Sequence, residues 1–395
     1  LIFAEKGTAI FKKIKFNNMK YLVLICRILV GVLFIISGLI KANDTIGFAY
    51  KLEEYYQVFG TEFLISTAVL QASLICIVEV ALGVLLLLGS RIKLTLWLLM
   101  LMIVFFTFLT FYSAYYNKVT DCGCFGDALK LKPWESFQKD IALLVLIGIL
   151  LIGQKHIRPL ASAKVLNVVF LISLAFTIYF PFYTYNHLPV IDFRPYAVGK
   201  DIQKGMQGGI PPKFDTKFLY KNLQTGKVEE FEQPPYQDTI SWEVDTLKYQ
   251  FVDQKQTEIT PEVKAPIHDF NISTIEGDDI TQDIFAYKGY QFLLVSYNLA
   301  KADRGVQPQV NDFASLCEKN KIPFYGLTSD IPAVIDEFRH EVQAPYNYYI
   351  TDATQLKTMI RSNPGLMLLK GPVVLGMWHH NDFPALDAVK KAYFK

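Results

Sequence analysis

Residues 94–127 read LTLWLLMLMIVFFTFLTFYSAYYNKVTDCGCFGD. The run from Leu94 to Tyr116 carries no charge and exceeds the roughly 20 apolar residues that a helix needs to cross a bilayer. Within a few residues it gives way to two cysteines, Cys122 and Cys124, separated by Gly123 alone. A redox pair, a metal site and a tight turn between membrane helices are the distinct chemical readings. The compartment that the stretch faces discriminates among them, so topology comes first.

Outward from this stretch the chain divides by hydropathy. Its 395 residues are 52% hydrophobic and 14% aromatic, too apolar for an ordinary soluble protein and longer than one usual domain. Spanning helices are expected at roughly 21–41, 63–89, 93–116, 138–154 and 164–185. The fourth is short, and Phe137 with the stem of Lys139 extends it into the interface. After Asn186 no comparable run occurs, and charged residues, prolines and turn residues become frequent. The near-balanced net charge of +2 gives no electrostatic case for nucleic acid. Residues 1–19 are either a basic cytoplasmic lead or sequence upstream of a start at Met19, and no small-residue cleavage site follows the first apolar run.

Orientation follows from lysine and arginine at the helix ends. Lys12, Lys13, Lys15 and Lys20 precede the first span. Arg91 and Lys93 lie between the second and third, and Lys155, Arg158 and Lys164 between the fourth and fifth. Alternation puts these segments on one side, the cytoplasmic one. The stretch 121–127 and everything after Asn186 then lie outside. In a bacterium with an outer membrane that makes an inner-membrane protein with a periplasmic C-terminal part, where cysteine pairs oxidise and persist. Two cysteines without nearby histidine fall short of a four-ligand zinc shell, so no metal is expected.

The first helix reads RILVGVLFIISGLIKANDTIGFAYKLEEYY, the second carries Glu79 in IVEVALGVLLLLG, and the third ends in DCGCFGD. Together these resemble the DoxX-like membrane proteins, specifically the branch with the methylamine-utilisation protein MauE, over about 20–155. The resemblance implies a compact four-helix membrane core with a redox association. The long C-terminal half departs from a bare MauE protein, and nothing in the chain points to methylamine metabolism.

The chemistry of Cys122 and Cys124 is consistent with redox work. A Cys-Gly-Cys disulfide closes a very small ring, and strained, exposed disulfides are the labile, oxidising ones. Gly123 permits backbone angles that a residue with a Cβ resists. A structural disulfide or two inert thiols in a turn is the alternative. Lys118, Lys130 and Lys132 favour a thiolate while Asp121 and Asp127 oppose it, so the sign of the local field stays open.

Arg27 and Glu79 are charges inside the bilayer, at depths of roughly 9 and 15 Å from the inner side. Such groups pair or line a pathway, and an Arg27–Glu79 pair is expected to fix the packing of the first two helices. Cys26 and Cys76 read as small packing residues. The segment 44–60 is amphipathic and reads as a short helix along the outer interface, able to cover the cysteine loop.

Residues 186–265 read as a β-rich module or linker, with a fifth membrane helix in 156–185 before it. From 266 to 395 strand candidates QFLLVSYN, IPFYGLTS, NYYITD, LMLLK and VVLGMWHH alternate with helices and end in ALDAVKKAYF, an α/β sandwich. The order resembles the thioredoxin-like fold in its peroxiredoxin or TlpA-like branch. The resemblance places Pro364 at that fold's cis-proline, where adjoining backbone holds an extended partner. The slot for Cys-x-x-Cys instead reads LAKADRG, and Cys317 falls within a helical run as a core residue. His379 and His380, adjacent in a strand, point to opposite faces and do not suggest a metal.

The expected architecture is therefore a four-helix DoxX/MauE-like membrane bundle plus a fifth transmembrane helix, followed by a soluble thioredoxin-like α/β domain. The expected function is thiol–disulfide exchange or electron transfer through Cys122 and Cys124, with the C-terminal domain docking a partner. Partners are membrane lipid and an extracytoplasmic thiol or disulfide protein, and no cofactor is implied. A non-enzymatic membrane scaffold with a structural cysteine pair is the alternative. A small-solute transporter is disfavoured for want of paired broken helices.

Overall fold

The computed structural model describes residues 2–119, 123, 125–129, 131–236, 244–260 and 263–394, with side chains from Met19 onward except at 258. The chain forms two compact units, one of residues 1–199 with 272–395 and one of 200–271.

In the first unit, α1 (Ile2–Asn43), α2 (Thr45–Val58), α3 (Ala68–Leu88), α4 (Ile92–Tyr116), α5 (Pro133–Ile152) and α6 (Ala163–Asn186) follow in order. Among the described residues, four stretches are long and apolar enough to span a membrane: Met19–Asn43, Glu62–Leu88, Ile92–Tyr116 and Ala163–Asn186. The expected fourth span is a helix too, α5, but Glu135, Lys139 and Asp140 occupy its first turns and shorten its apolar part. Outward positions such as Ile28, Trp97, Leu101, Leu171 and Phe182 are exposed, as lipid-facing side chains of a membrane bundle are.

Because lipid is as apolar as leucine, helix association in a membrane rests on close packing and internal hydrogen bonds. Glycines provide that closeness between α1 and α3. A Cβ on Gly83 would lie 2.8 Å from the Gly31 carbonyl oxygen, and one on Gly38 would lie 3.1 Å from the Cys76 carbonyl. The two backbones thus touch, and Val30, Phe34 and Leu82 pack with Leu99, Ile103 and Ile147 of α4 and α5. Cys26 and Cys76 are free, buried and belong to separate clusters.

The second unit holds α7 (Ile202–Gly205) and three strands, β1 (Lys213–Asn222), β2 (Val228–Phe231) and β3 (Tyr249–Thr260), in an antiparallel sheet of order β2-β1-β3. Tyr220, Phe231, Tyr249 and Phe251 meet edge-on across it, the cross-strand aromatic pairing that stabilises small sheets.

The remainder of the first unit is an α/β layer structure. It comprises α8 (Thr281–Ala286), β4 (Tyr290–Val295), α9 (Gln307–Lys319), β5 (Phe324–Thr328), α10 (Pro332–Val342), β6 (Tyr348–Ile350), α11 (Ala353–Met359), β7 (Gly365–Lys370), β8 (Val373–His379) and α12 (Leu386–Tyr393). The sheet runs β6-β5-β4-β7-β8, parallel from β4 to β6 and antiparallel at β7 and β8. Phe292, Leu294, Leu366 and Leu368 pack against α9, α10 and α12, while the alternate Leu293, Val295, Met367 and Leu369 are equally buried, so both faces are covered. This arrangement is consistent with a thioredoxin-like domain.

The glycine seam between α1 and α3 is testable. Gly83→Leu should overpack it by about 1–3 kcal/mol and lower the melting temperature of the detergent-solubilised chain, read by fluorescence-detected size exclusion after heating. An unchanged melting temperature would refute close backbone packing there.

Candidate functional site at the bundle end

Cys122 and Cys124 lie outside the described residues, as do Asp121 and Lys130. The residues between and after the cysteines are described. Gly123 is buried at φ +65°, and Gly126 donates its N–H to the Gly123 carbonyl at 3.1 Å. A Cβ on Gly123 would meet the Lys51 stem at 3.0 Å, so α2 lies directly against the loop. Phe125 faces the Lys139 ammonium of α5, 5.3 Å from its ring centre.

Asp127 is reached from the other end of the sequence. Arg361, between α11 and β7, places Nη2 3.4 Å from Asp127 Oδ2. The same guanidinium forks onto Asp44, with Nε donating to Oδ1 and Nη2 to Oδ2, each at 2.9 Å, and Nη1 donating to the Lys357 carbonyl. Asp44 also caps α2 by accepting the Gly47 N–H at 2.9 Å. A Cβ at position 47 would lie 2.7 Å from Arg361 Nη2, so glycine makes room for the fork. Burial by itself would raise the Asp44 carboxyl, but the facing Arg361 outweighs it and holds Asp44 below the usual carboxylate range. Burial would likewise lower Arg361, and the Asp44 carboxylate more than reverses that. Around this pair Lys357 sits 3.9 Å from Glu53 and 4.7 Å above the Tyr50 ring, and Tyr50 meets Tyr297 edge-on at 6.3 Å.

These contacts come from the α/β domain, at the turn that leads into β7. The Asn363–Pro364 bond is cis and opens β7. The proline is buried, the Asn363 carbonyl accepts the Asp303 N–H at 2.9 Å, and the Asn363 amide donates to the Asn298 carbonyl at 2.8 Å. The slot after β4 holds a short 3-10 turn, Leu299–Lys301. Cys317 is free and fully buried in α9, and burial pushes its thiol up to about 12, which makes it inert as a nucleophile. Burial and the adjacent His380 lower His379 to about 4. Among the described residues no group of histidine, cysteine, aspartate or glutamate is arranged to hold a metal ion.

The expected Arg27–Glu79 pair is not formed. Glu79 Oε1 accepts from the Lys41 ammonium at 2.6 Å, both side chains nearly fully buried. Arg27 lies level with the other end of α3, where it donates to the carbonyls of Leu86 at 2.9 Å and Leu87 at 2.6 Å and to that of Arg158 at 3.2 Å. It caps the α3 C-terminus, where orphan carbonyls and the helix dipole favour a cation. About eight residues of helix, roughly 12 Å, separate that level from Glu79, too far for one pair. Lys41, Glu79, Ser37, Lys139, Asp140 and Phe125 are among the residues that line a small cavity of about 30 Å³, and Thr110 donates to Asp140 at 3.0 Å.

Lys41, Glu79, Lys139 and Asp140 of the bundle thus gather beside Phe125, and the comparison with known proteins falls on the same segment. Residues 19–153 match the family of the methylamine utilisation protein MauE. That segment is a MauE-family domain. Protein TlpB of Flavobacterium psychrophilum is 28% identical over 141 residues, 34% of this chain and 37% of that protein. The chain thus matches little more than a third of that curated relative's length. No solved structure matches. Three of the four apolar stretches long enough to span a bilayer fall within the MauE-family segment, as a membrane protein requires.

Sequence reasoning found Glu79 but assigned it the wrong partner. It missed Lys51, Lys139 and Arg361 as neighbours of the loop. No local pattern marks these residues, since each meets the loop only through a tertiary contact.

Two outcomes follow. Lys41→Met should destabilise the MauE-family domain by about 3–5 kcal/mol by leaving the Glu79 charge unpaired, and Lys41→Met with Glu79→Leu should recover most of it. Thermal melts in nanodiscs check this, and additive losses would refute a pair. Because folding depresses the Asp44 pKa, its pairing contributes fully above about pH 4 and is lost as pH falls through the lower folded value. Hydrogen exchange at α11 and the start of α2 should therefore accelerate together below about pH 4, and Asp44→Asn should show that fast exchange at neutral pH.

Proposed function

We propose that this is a multi-pass protein of the bacterial cytoplasmic membrane that exchanges thiols and disulfides through Cys122 and Cys124 on the extracytoplasmic side. The N-terminus lies inside, and the α/β domain lies outside with the cysteine loop. The supporting observation is the Arg361 contact with Asp127, which draws the α/β domain, whose slot after β4 lacks a cysteine, to the residue three positions past Cys124. Support for the orientation is that Gly89 and Arg158 meet around Arg27 at one end of the bundle, with the basic Arg91 and Lys93 beside them, whereas Asp44, Asp127 and Arg361 meet at the other. Basic loops face the cytoplasm.

In the reaction a thiolate of the pair attacks a disulfide sulfur of an extracytoplasmic partner protein. A mixed disulfide forms and a partner thiolate leaves. The second cysteine then attacks the mixed disulfide. The net exchange is dithiol plus partner disulfide giving the Cys122–Cys124 disulfide plus partner dithiol, two electrons and two protons passing to the partner. The reverse direction uses the same steps. The α/β domain takes no part in the bond changes, since Cys317 is buried and far too weakly acidic. Its role is to dock.

Acid trapping followed by labelling with a mass-adding maleimide tests this in intact cells. Cys124→Ser should accumulate a mixed disulfide through Cys122 to a second protein, lost on reduction and absent in Cys122→Ser/Cys124→Ser. A pair that stays oxidised, traps nothing and tolerates double replacement would instead establish the structural-scaffold reading.

A further inference from the structure

Glu79 pairs through one of its carboxylate oxygens only. Oε1 accepts from the Lys41 ammonium at 2.6 Å, whereas Oε2 is buried with no hydrogen-bond partner, on a side chain that is 3% exposed. A carboxylate offers about four lone-pair sites, and a buried acceptor left without a donor carries the full cost of its lost hydration. The Lys41 ammonium stands 5.2 Å from the Phe48 ring centre and 5.1 Å from that of Phe106. Both cation–π contacts favour its place at Oε1. Oε2 therefore calls for a donor of another kind.

Glu79 lines the cavity between α1, α3, α4 and α5, and so do Asp140 and Lys139 of α5. Asp140 accepts from Lys139 at Oδ1, 2.8 Å, and from Thr110 at Oδ2, 3.0 Å, which leaves its carboxylate room for further donors. With Lys41, two ammonium groups and two carboxylates line the cavity, and their charges sum to zero.

These quantities select the occupant. A cavity of about 30 Å³ has room for roughly two water molecules, at about 10–15 Å³ each, and for no organic ligand. A lone cation or anion would add net charge to a buried site whose lining charges already balance, at a high desolvation cost. Dry cavities are lined by hydrocarbon, whereas buried water bonds to polar groups that would otherwise be unsatisfied. Glu79 Oε2 is such a group.

We propose that this cavity is a water-binding site of the membrane domain, in which one water donates to Glu79 Oε2 and a second links it to the Asp140 carboxylate. Two separate ion pairs then become one hydrogen-bonded network across four helices, with Lys41 from α1, Glu79 from α3, Thr110 from α4 and Asp140 with Lys139 from α5. Exposure is graded along it. Lys139 is 22% exposed, whereas Asp140, Glu79 and Lys41 are 1%, 3% and 2% exposed. Ionisable groups inside a membrane mark ion and proton pathways, and a continuous chain from a partly exposed ammonium to a core carboxylate is what proton transfer needs. The site uses neither cysteine of the thiol–disulfide reading and stands or falls apart from it.

Radiolytic footprinting of the full chain in lipid nanodiscs tests this. Brief X-ray pulses make hydroxyl radicals from water in place, heavy-oxygen water marks water as the source, and peptide mass spectrometry finds the oxidised side chains. Ile103 and Leu143 line the cavity, whereas Ile147 and Leu82 belong to the same apolar cluster without lining it. All four are buried, so labelling of the first two with the second two at background is the expected result. In the variant Lys41→Met with Glu79→Leu, which removes the acceptor at similar volume, that labelling should be lost. Background labelling at all four means a dry cavity and overturns the proposal. Equal labelling at all four means general opening to solvent and overturns it too. Labelling that persists in the double variant shows that Glu79 does not hold the water, with the same consequence. If the double variant fails to fold, the wild-type comparison of Ile103 with Ile147 and of Leu143 with Leu82 decides.

Discussion

One guanidinium joins the two halves of the first unit. Arg361 leaves the α/β domain just before the cis-proline, and its fork fits a single carboxylate, Asp44, that already caps α2. Planar, bidentate recognition is what distinguishes arginine from lysine at such a site. The geometry ties four things together: the end of α1, the start of α2, the turn at Asp127 and the turn into β7. A buried pair of this kind is weak evidence for net stability, because desolvation offsets much of the Coulomb gain. Its use is to fix register, here the placement of a soluble domain over one loop of a membrane domain.

The membrane half is built to a different rule. With no hydrophobic force between helices, its specificity rests on glycines that let α1 and α3 touch and on charges that must be satisfied internally. Lys41 and Glu79 satisfy each other, and Arg27 satisfies a helix end. Each choice is forced by the level at which a residue sits. In the small cavity between α1, α3, α4 and α5, Lys41, Glu79, Lys139 and Asp140 meet among apolar side chains such as Leu33, Phe34, Ile103 and Leu143.

Much of this was legible beforehand. The apolar runs marked the membrane helices because bilayer thickness sets a length that few soluble helices match. The strands from β4 to β8 and most helices between them were legible because buried parallel strands read as continuous apolar runs bounded by turns. Helix α11 was not assigned, since a seven-residue helix presents too few turns for a periodicity to emerge. The Arg27–Glu79 expectation failed because depth from one membrane face locates a residue only to within a turn or two, and Lys41, at the far end of α1, reaches back along its flexible stem to Glu79.

What the sequence alone determined was local: which segments are apolar enough to cross a membrane, which alternate as strand and helix, and that the one closely spaced cysteine pair follows the third span while the α/β region holds a single cysteine, Cys317. These depend on composition and periodicity within a dozen residues. What only the tertiary structure decided was which charges meet. Asp44 and Arg361 are 317 residues apart, and Asp127 and Arg361 are 234. No pattern along a chain encodes a contact of that span, because ion pairing depends on distance in space and is screened in water beyond about 8–10 Å at physiological ionic strength.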